Sequence, residues 1–327
     1  MQDYDRAIAD FTEAIRLEPK KVEYYGFRAE AYVHAKDADR AIADYTEAIR
    51  LEPKNSAPYF CRGIVLMGVK KEYEKAIADF SEAVRVNPHD AHAFNNRGAL
   101  RCIKNDPDGG FADFTEAIRL DKSLAQAYSN RGAIFHARRE YDLALADFKE
   151  ALRITPKYPD ALCNRGSLRL SMGEPEKALA DFEEALRIDP RHGGALCKKA
   201  VVSAKRKDFT GAHIAFRESV GLTPNVSTYS EAAWFYATCP KDIFRDGKQA
   251  LEYAKQAIEL DKDSVPARKS LAAAYAETGQ FERAVAEQSK VVEKLKTAKK
   301  ADADDRKKAD AILETYRSKK PYRDVIE

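Results

Sequence analysis

The chain runs to 327 residues, 44% of them hydrophobic, with 56 Lys and Arg against 53 Asp and Glu for a net charge of +3. There is apolar material for a large core, and the balanced charge argues against a nucleic-acid glove. Its 15 Gly and 13 Pro exclude collagen and low-complexity linkers, no apolar run approaches the roughly 20 residues of a membrane helix, and MQDYDRAIAD lacks a signal-peptide core, so a cytoplasmic location is expected.

Taken in chain order, one phrase keeps returning. ADFTEAIRLEP recurs as ADYTEAIRLEP, ADFSEAVRVNP, ADFTEAIRLDK, ADFKEALRITP and ADFEEALRIDP. Its closing positions, Pro19, Pro53, Pro88, Lys122, Pro156, Pro190, Pro224 and Lys262, lie 34 or 35 residues apart until a last step of 38. Within each period, apolar and small residues fall at helical spacing in two stretches joined by a short turn such as Met172-Gly173-Glu174. Each period is a predicted helical hairpin.

The first unit starts near repeat position 15 and is expected to lack its first helix, which leaves the Ile8, Phe11 and Ile15 stripe of a helix over 4–17 without its own partner. The fourth unit places Gly110 where the other units have alanine, a substitution expected to loosen that hairpin by roughly 1 kcal/mol. The eighth carries about four extra residues around Cys239-Pro240-Lys241-Asp242, read as a longer turn. From Thr297 the period stops, and ADADDRKKADAILETYRSKK reads as one amphipathic helix that would cover the last hairpin with Ala301, Ile312, Leu313 and Tyr316. The expected organisation is therefore a repeat array over 1–296 and a capping helix and tail over 297–327.

The fifth unit, Ala125 to Tyr158, supplies Tyr128, Gly132, Phe135, Ala144, Phe148, Ala151 and Pro156 at repeat positions 4, 8, 11, 20, 24, 27 and 32. With alanine at position 20 and an aromatic at 24 in unit after unit, the sequence resembles the tetratricopeptide repeat family, in a bacterial type with N-R-G and A-I-A-D-F-T-E-A-I-R-L-x-P phrases. The resemblance implies an all-α fold, a right-handed superhelical solenoid of antiparallel helix hairpins. The physics agrees independently: small residues at 8, 20 and 27 let helices approach to about 8 to 10 Å, and one hairpin alone cannot bury the face they create.

No nucleotide-binding, metalloprotease or serine-nucleophile motif occurs, so no catalysis is expected. His92, His136 and Cys102 lack the spacing of a closed zinc site, and neither a metal nor a cofactor is expected. Five cysteines without a C-x-x-C pair suit a reducing compartment, and Cys163 and Cys197, one repeat apart, are expected to be free thiols.

Function is then expected on the surface that first-helix positions 2, 5, 6, 9, 12 and 13 line in the family resembled. The second unit offers Glu23 and Glu30, the third Phe60, Ile64 and Met67, the fourth to sixth Asn95, Asn96, Asn130, Asp160 and Asn164, and the seventh Lys198 and Lys205. Asparagine at position 6, always before Arg-Gly, resembles the asparagine ladder of the O-linked N-acetylglucosamine transferase repeat domain, because a side-chain amide can pair with both backbone groups of a passing peptide. The expected function is a non-catalytic interaction scaffold that holds an extended peptide through Asn96, Asn130 and Asn164, with an apolar anchor at Phe60, Ile64 and Met67 and an acidic group drawn to Lys198 and Lys205. The lysine and asparagine set that clamps chaperone tails is missing. Alternatives are an architectural or oligomerisation module, with self-association through the N-terminal edge, and an RNA-binding helical repeat using Lys294, Lys296, Lys299, Lys300, Arg306, Lys307 and Lys308. No membrane partner is expected.

Arg28, Arg62, Arg97, Arg131 and Arg165 at position 7 accompany Asp44, Asp79, Asp113, Asp147 and Asp181 at position 23, and both types change together in the seventh unit to Lys199 and Ala215. The covariation within one chain predicts a helix-to-helix ion pair rather than an arginine row for anionic ligands.

Overall fold

A computed structural model describes residues 2–297 and 302–324, so Lys299, Lys300 and Ala301 lie outside the described residues. The chain divides into two compact units at Pro156 and Lys157, each a stack of helix hairpins. Among the described residues there are α-helices and no strands. Unit 1 contains α1 (Gln2–Leu17), α2 (Val22–His34), α3 (Ala38–Leu51), α4 (Ser56–Val65), α5 (Tyr73–Val86), α6 (Ala91–Ile103), α7 (Pro107–Leu120), α8 (Ala125–Ala137) and α9 (Tyr141–Ile154). Unit 2 contains α10 (Pro159–Ser171), α11 (Pro175–Ile188), α12 (Gly193–Lys205), α13 (Phe209–Leu222), α14 (Val226–Thr238), α15 (Gly247–Leu260), α16 (Val265–Glu277), α17 (Phe281–Thr297) and α18 (Ala303–Arg317).

The turn inside a hairpin is closed by one left-handed residue: Lys36, Asn105, Arg139, Gly173, Lys207 and Gly279 all have φ between 62° and 76°. That conformation lets the next amide reach back to the last turn of the helix, as Asp37 N to Tyr32 O (2.8 Å) and Asp106 N to Arg101 O (2.8 Å) do. Asp37, Asp106 and Asp208 then cap the second helix by accepting from the backbone N–H three residues on. Two short-range devices thus set the antiparallel course before any tertiary contact forms.

Packing within the hairpin turns on a missing side chain. A Cβ on Gly63, Gly98 or Gly132 would lie 2.8–2.9 Å from the ring of Phe80, Phe114 or Phe148, and one on Gly166 would lie 2.5 Å from Phe182. Those rings are at most 2% exposed, each worth about 1.5–3 kcal/mol of burial. Gly110 behaves differently from the sequence expectation. A Cβ there would overlap the Cys102 thiol and lie 2.9 Å from Gly98 O, so glycine is what allows α6 and α7 their close contact. The helix-propensity cost is offset by packing.

The arginine and aspartate pairs form as two-pronged bonds across each hairpin. Arg28 to Asp44 closes at 2.8 and 2.7 Å, Arg62 to Asp79 at 2.8 and 2.7 Å, Arg97 to Asp113 at 2.9 and 2.7 Å, Arg131 to Asp147 at 2.8 and 2.8 Å, and Arg165 to Asp181 at 3.1 and 2.6 Å. All five carboxylates are buried. Arg101 and Arg169 add a second guanidinium to Asp113 and Asp181, at 2.9 and 2.8 Å. Arg28 and Arg62 also reach back to the preceding helix, donating to Thr12 and Thr46. In the seventh unit Lys199 turns instead to Glu183 of the unit before, at 3.7 Å. By contrast, Glu13 with Arg16 and its counterparts down to Glu184 with Arg187 are exposed pairs within one helical turn, worth little.

Irregularities follow from insertions. The one extra residue of the third unit is absorbed by a π-helical turn over Leu66–Lys70 that carries Met67, and left-handed Lys71 ends it. The longer turn of the eighth unit contains a 3₁₀ turn over Asp242–Phe244. At the N-terminal edge the α1 stripe is not left bare. Phe11 packs at a tilt on Phe27 at 5.5 Å, Tyr4 stacks on His34 at 5.0 Å, and Ile8 and Ile15 pack against the Tyr32 and Tyr25 clusters. In unit 2, α18 lays Ala309, Ile312, Leu313 and Tyr316 against α16 and α17.

Two substitutions test this packing. Asp181→Asn should destabilise unit 2 by about 3 kcal/mol, because two guanidinium groups lose their counter-charge, and Asp147→Asn, with one, should cost less in urea unfolding. Gly110→Ala, which helix propensity alone would make stabilising by about 1 kcal/mol, should instead destabilise by about 1–3 kcal/mol and be partly relieved by Cys102→Ala.

Candidate functional site

In unit 1 the first-helix positions expected to line the binding surface meet through asparagine. Asn130 on α8 donates from Nδ2 to Asn95 Oδ1 on α6 at 3.1 Å, and Asn95 Nδ2 lies 3.5 Å from Asn96 Oδ1. Asn95 is buried and serves as the link between the two helices, whereas Asn96 and Asn130 are half-exposed. Asn130 therefore commits one amide hydrogen internally and keeps its oxygen and its other hydrogen. Phe60 on α4 packs edge-on against Phe80 at 5.7 Å and is half-buried, as is Met67, so both are partly spent on the core. Ile64 is the more open of the three, 36% exposed.

Unit 2 presents Asn164 on α10, half-exposed, and Lys198 and Lys205 on α12. The Lys198 ammonium sits 3.8 Å from Glu231 Oε1 on α14, and Lys205 is exposed. Asp160 is engaged by His192, whose Nε2 lies 3.1 Å from Asp160 Oδ1 while Nδ1 accepts from Ala195 N to cap α12. The hydrogen bond holds Asp160 below the usual carboxylate range and raises the imidazole. Beyond α18 the chain turns back: Asp324 N donates to Thr238 O at 3.0 Å, Trp234 Nε1 donates to Asp324 Oδ2 at 2.8 Å, and Arg323 pairs with Glu277 at 2.7 Å.

Family models described as Tetratricopeptide repeat match residues 123–191 and residues 1–56 and 163–227. Over those residues the chain belongs to the tetratricopeptide repeat family. A comparison with curated proteins finds no match. Among solved structures, YrrB, a TPR protein with an unusual peptide-binding site, is 26% identical with a TM-score of 0.47, over 57% of this chain and 95% of that one. A chain of the APC/C hetero-tetramer Cut9–Hcn1 is 15% identical with a TM-score of 0.63, over 83% of this chain and 52% of that one, so the match spans about half of that longer chain. PilW, a widely conserved type IV pilus biogenesis factor, is 21% identical with a TM-score of 0.54, over 62% and 94%. The last two likenesses carry the fold alone. A tetratricopeptide-repeat fold supports a protein–protein interaction scaffold, and scaffolds of this family are typically non-catalytic.

The other reactive groups of this tetratricopeptide-repeat chain are used in packing. Among the described residues no three His, Cys, Asp or Glu gather as metal ligands, and no helix is long and apolar enough to cross a membrane. All five cysteines are free. Burial pushes the Cys163 and Cys197 thiols up to about 12. The residues that sequence reasoning missed are Trp234, Lys269 and Asp324. The chain's one tryptophan and its KKPYRD ending were visible signals, but nothing in the spacing tells that they meet. Native-state alkylation near pH 8 should label Cys61 and Cys102, which are half-buried, and spare Cys163, Cys197 and Cys239 until the chain unfolds; mass spectrometry of the labelled peptides checks it.

Proposed function

We propose that this chain is an interaction scaffold that binds an extended, mostly uncharged peptide by its main chain. The observation that carries the reading is the bond from Asn130 to Asn95, which fixes two neighbouring side-chain amides in register and leaves acceptor and donor capacity on Asn130 and Asn96. First helices stand about 8 to 10 Å apart and an extended chain rises about 3.3 Å per residue, so each hairpin engages about three ligand residues. Ile64, with Phe60 and Met67 beneath it, offers an apolar anchor in unit 1. In unit 2, Asn164 repeats the amide, and Lys198 and Lys205 favour an acidic ligand group. Self-association is a second reading, favoured by Leu17 and Phe27 at 65% and 49% exposure. Light scattering across a concentration series decides it, and a strict monomer removes it.

For the peptide reading, clones selected from a random linear-peptide library on the full chain should lose about 0.5–1.5 kcal/mol of binding with Asn96→Ala or Asn130→Ala, and most of their affinity when Asn96, Asn130 and Asn164 are all changed. Calorimetry with the fold verified by circular dichroism is the measurement. Affinity that survives the triple change overturns the asparagine role.

A further inference from the structure

Unit 2 contains a partly open cleft of about 500 Å³ lined by α12, α13, α14 and α16 and bordered by α17, α18 and the returning tail. That volume falls within the roughly 300–1,000 Å³ of small-molecule sites. Its walls are largely apolar, with Phe209, Phe216, Phe235, Val291 and Ile312 facing in. Two buried polar atoms beside this space have no hydrogen-bond partner among the described residues, and a lysine there has an aromatic ring but no salt bridge. Ser230 is 3% exposed, and its hydroxyl makes no hydrogen bond. Gln288 is fully buried; its Nε2 donates to Ala309 O at 2.9 Å, and its Oε1 accepts nothing. Lys269 lies over the Trp234 ring, 3.8 Å from its centre, with no carboxylate within 4.0 Å. Buried polar atoms are ordinarily matched, so two unmatched atoms beside a cation without a salt bridge point to an occupant that supplies what the protein does not.

The charge of that occupant follows from which groups are already satisfied. Glu231 faces Lys198 at 3.8 Å, and Asp324 lies 3.7 Å from Lys308 while it accepts from Trp234. Asp305 is exposed. Lys205 at the cleft wall is exposed, so Lys269, half-buried, is the cation set deepest there without a salt bridge, and the seat of the Asp324 carboxylate shows that this corner accepts an acid. Burial, and then the neighbouring Lys308, hold the Lys269 ammonium below the usual lysine range against the opposite pull of Asp324, Glu231 and Asp305. The size of the occupant follows from the closure: α18 is anchored by Ile312 and Tyr316, each at most 1% exposed, and the tail is bonded to Thr238 and Trp234, so a through-running chain has no exit on that side.

We infer that the cleft is a binding site for an apolar small-molecule monocarboxylate, its chain among the aromatic and aliphatic walls, its carboxylate on Lys269 and the Ser230 hydroxyl, and Gln288 Oε1 accepting any N–H or O–H it carries. The inference uses unit 2 alone and stands or falls independently of the asparagine reading.

Trp234 is the chain's single tryptophan, so its fluorescence reads the cleft directly. Titration of the full chain with decanoate should change that emission saturably with one-to-one stoichiometry in parallel calorimetry, and decanol should bind at least tenfold more weakly. Lys269→Met, which replaces a half-buried charge that has no salt bridge with an apolar side chain of similar length, should keep helicity and melting temperature and bring decanoate down to the decanol level. Ser230→Ala, the removal of one oxygen, should weaken decanoate several-fold and leave decanol unchanged. No saturable response to decanoate, equal binding of decanol, or undiminished decanoate binding by Lys269→Met would each overturn the site. If Lys269→Met does not fold, the decanol comparison and Ser230→Ala decide it.

Discussion

Every hairpin of this chain depends on one steric fact: at repeat position 8 there is too little side chain to keep the two helices apart. Where that residue is Gly63, Gly98, Gly132 or Gly166, the ring of Phe80, Phe114, Phe148 or Phe182 sits directly against the backbone. Where it is Ala29 or Ala200, fully buried, the partner is Tyr45 or Phe216. The close approach that results brings position 7 within reach of position 23, and a bidentate bond between arginine and aspartate becomes geometrically available. Apolar contact sets the distance and the ion pair then fixes the register, since the planar guanidinium tolerates little sliding.

The same constraint explains why one hairpin can depart from the pattern. Gly110 removes a second Cβ from the α6 and α7 contact, and the space is taken by the Cys102 thiol, so a residue that weakens an isolated helix serves a closer pair. Insertions are tolerated where they fall outside this contact: a π turn over Leu66–Lys70 and a 3₁₀ turn over Asp242–Phe244 each take up extra chain at a turn while the position 8 and 24 contacts remain. Local distortion is cheap at the ends of helices and costly at their waists.

A stack built this way presents first helices as parallel rows, and chemistry that recurs at one repeat position recurs in space. That is how Asn95, Asn96 and Asn130 come to share hydrogen bonds in unit 1. In unit 2 the rule is broken on purpose of packing: α18 and the tail return over α14 and α16, and groups that belong to no repeating phrase, Trp234, Lys269, Gln288 and Asp324, become neighbours.

The period, the hairpins, the small residues opposite aromatics and the pairing of arginine with aspartate were all legible in the sequence. Each is a local or near-local relation, within about one 34-residue unit, and repetition displayed it many times over. The groove positions were legible as positions, but not which amides are spent: that Asn95 is an internal link and Asp160 is held by His192 depends on neighbouring units at a separation of 32 to 35 residues. The tail's seat was not legible at all. Trp234 and Asp324 are 90 residues apart, occur once each in their roles, and meet only because α18 reverses the chain. Periodicity determines what a chain does many times; a contact made once, between distant segments, is decided by how the folded backbone returns, which only the tertiary structure records.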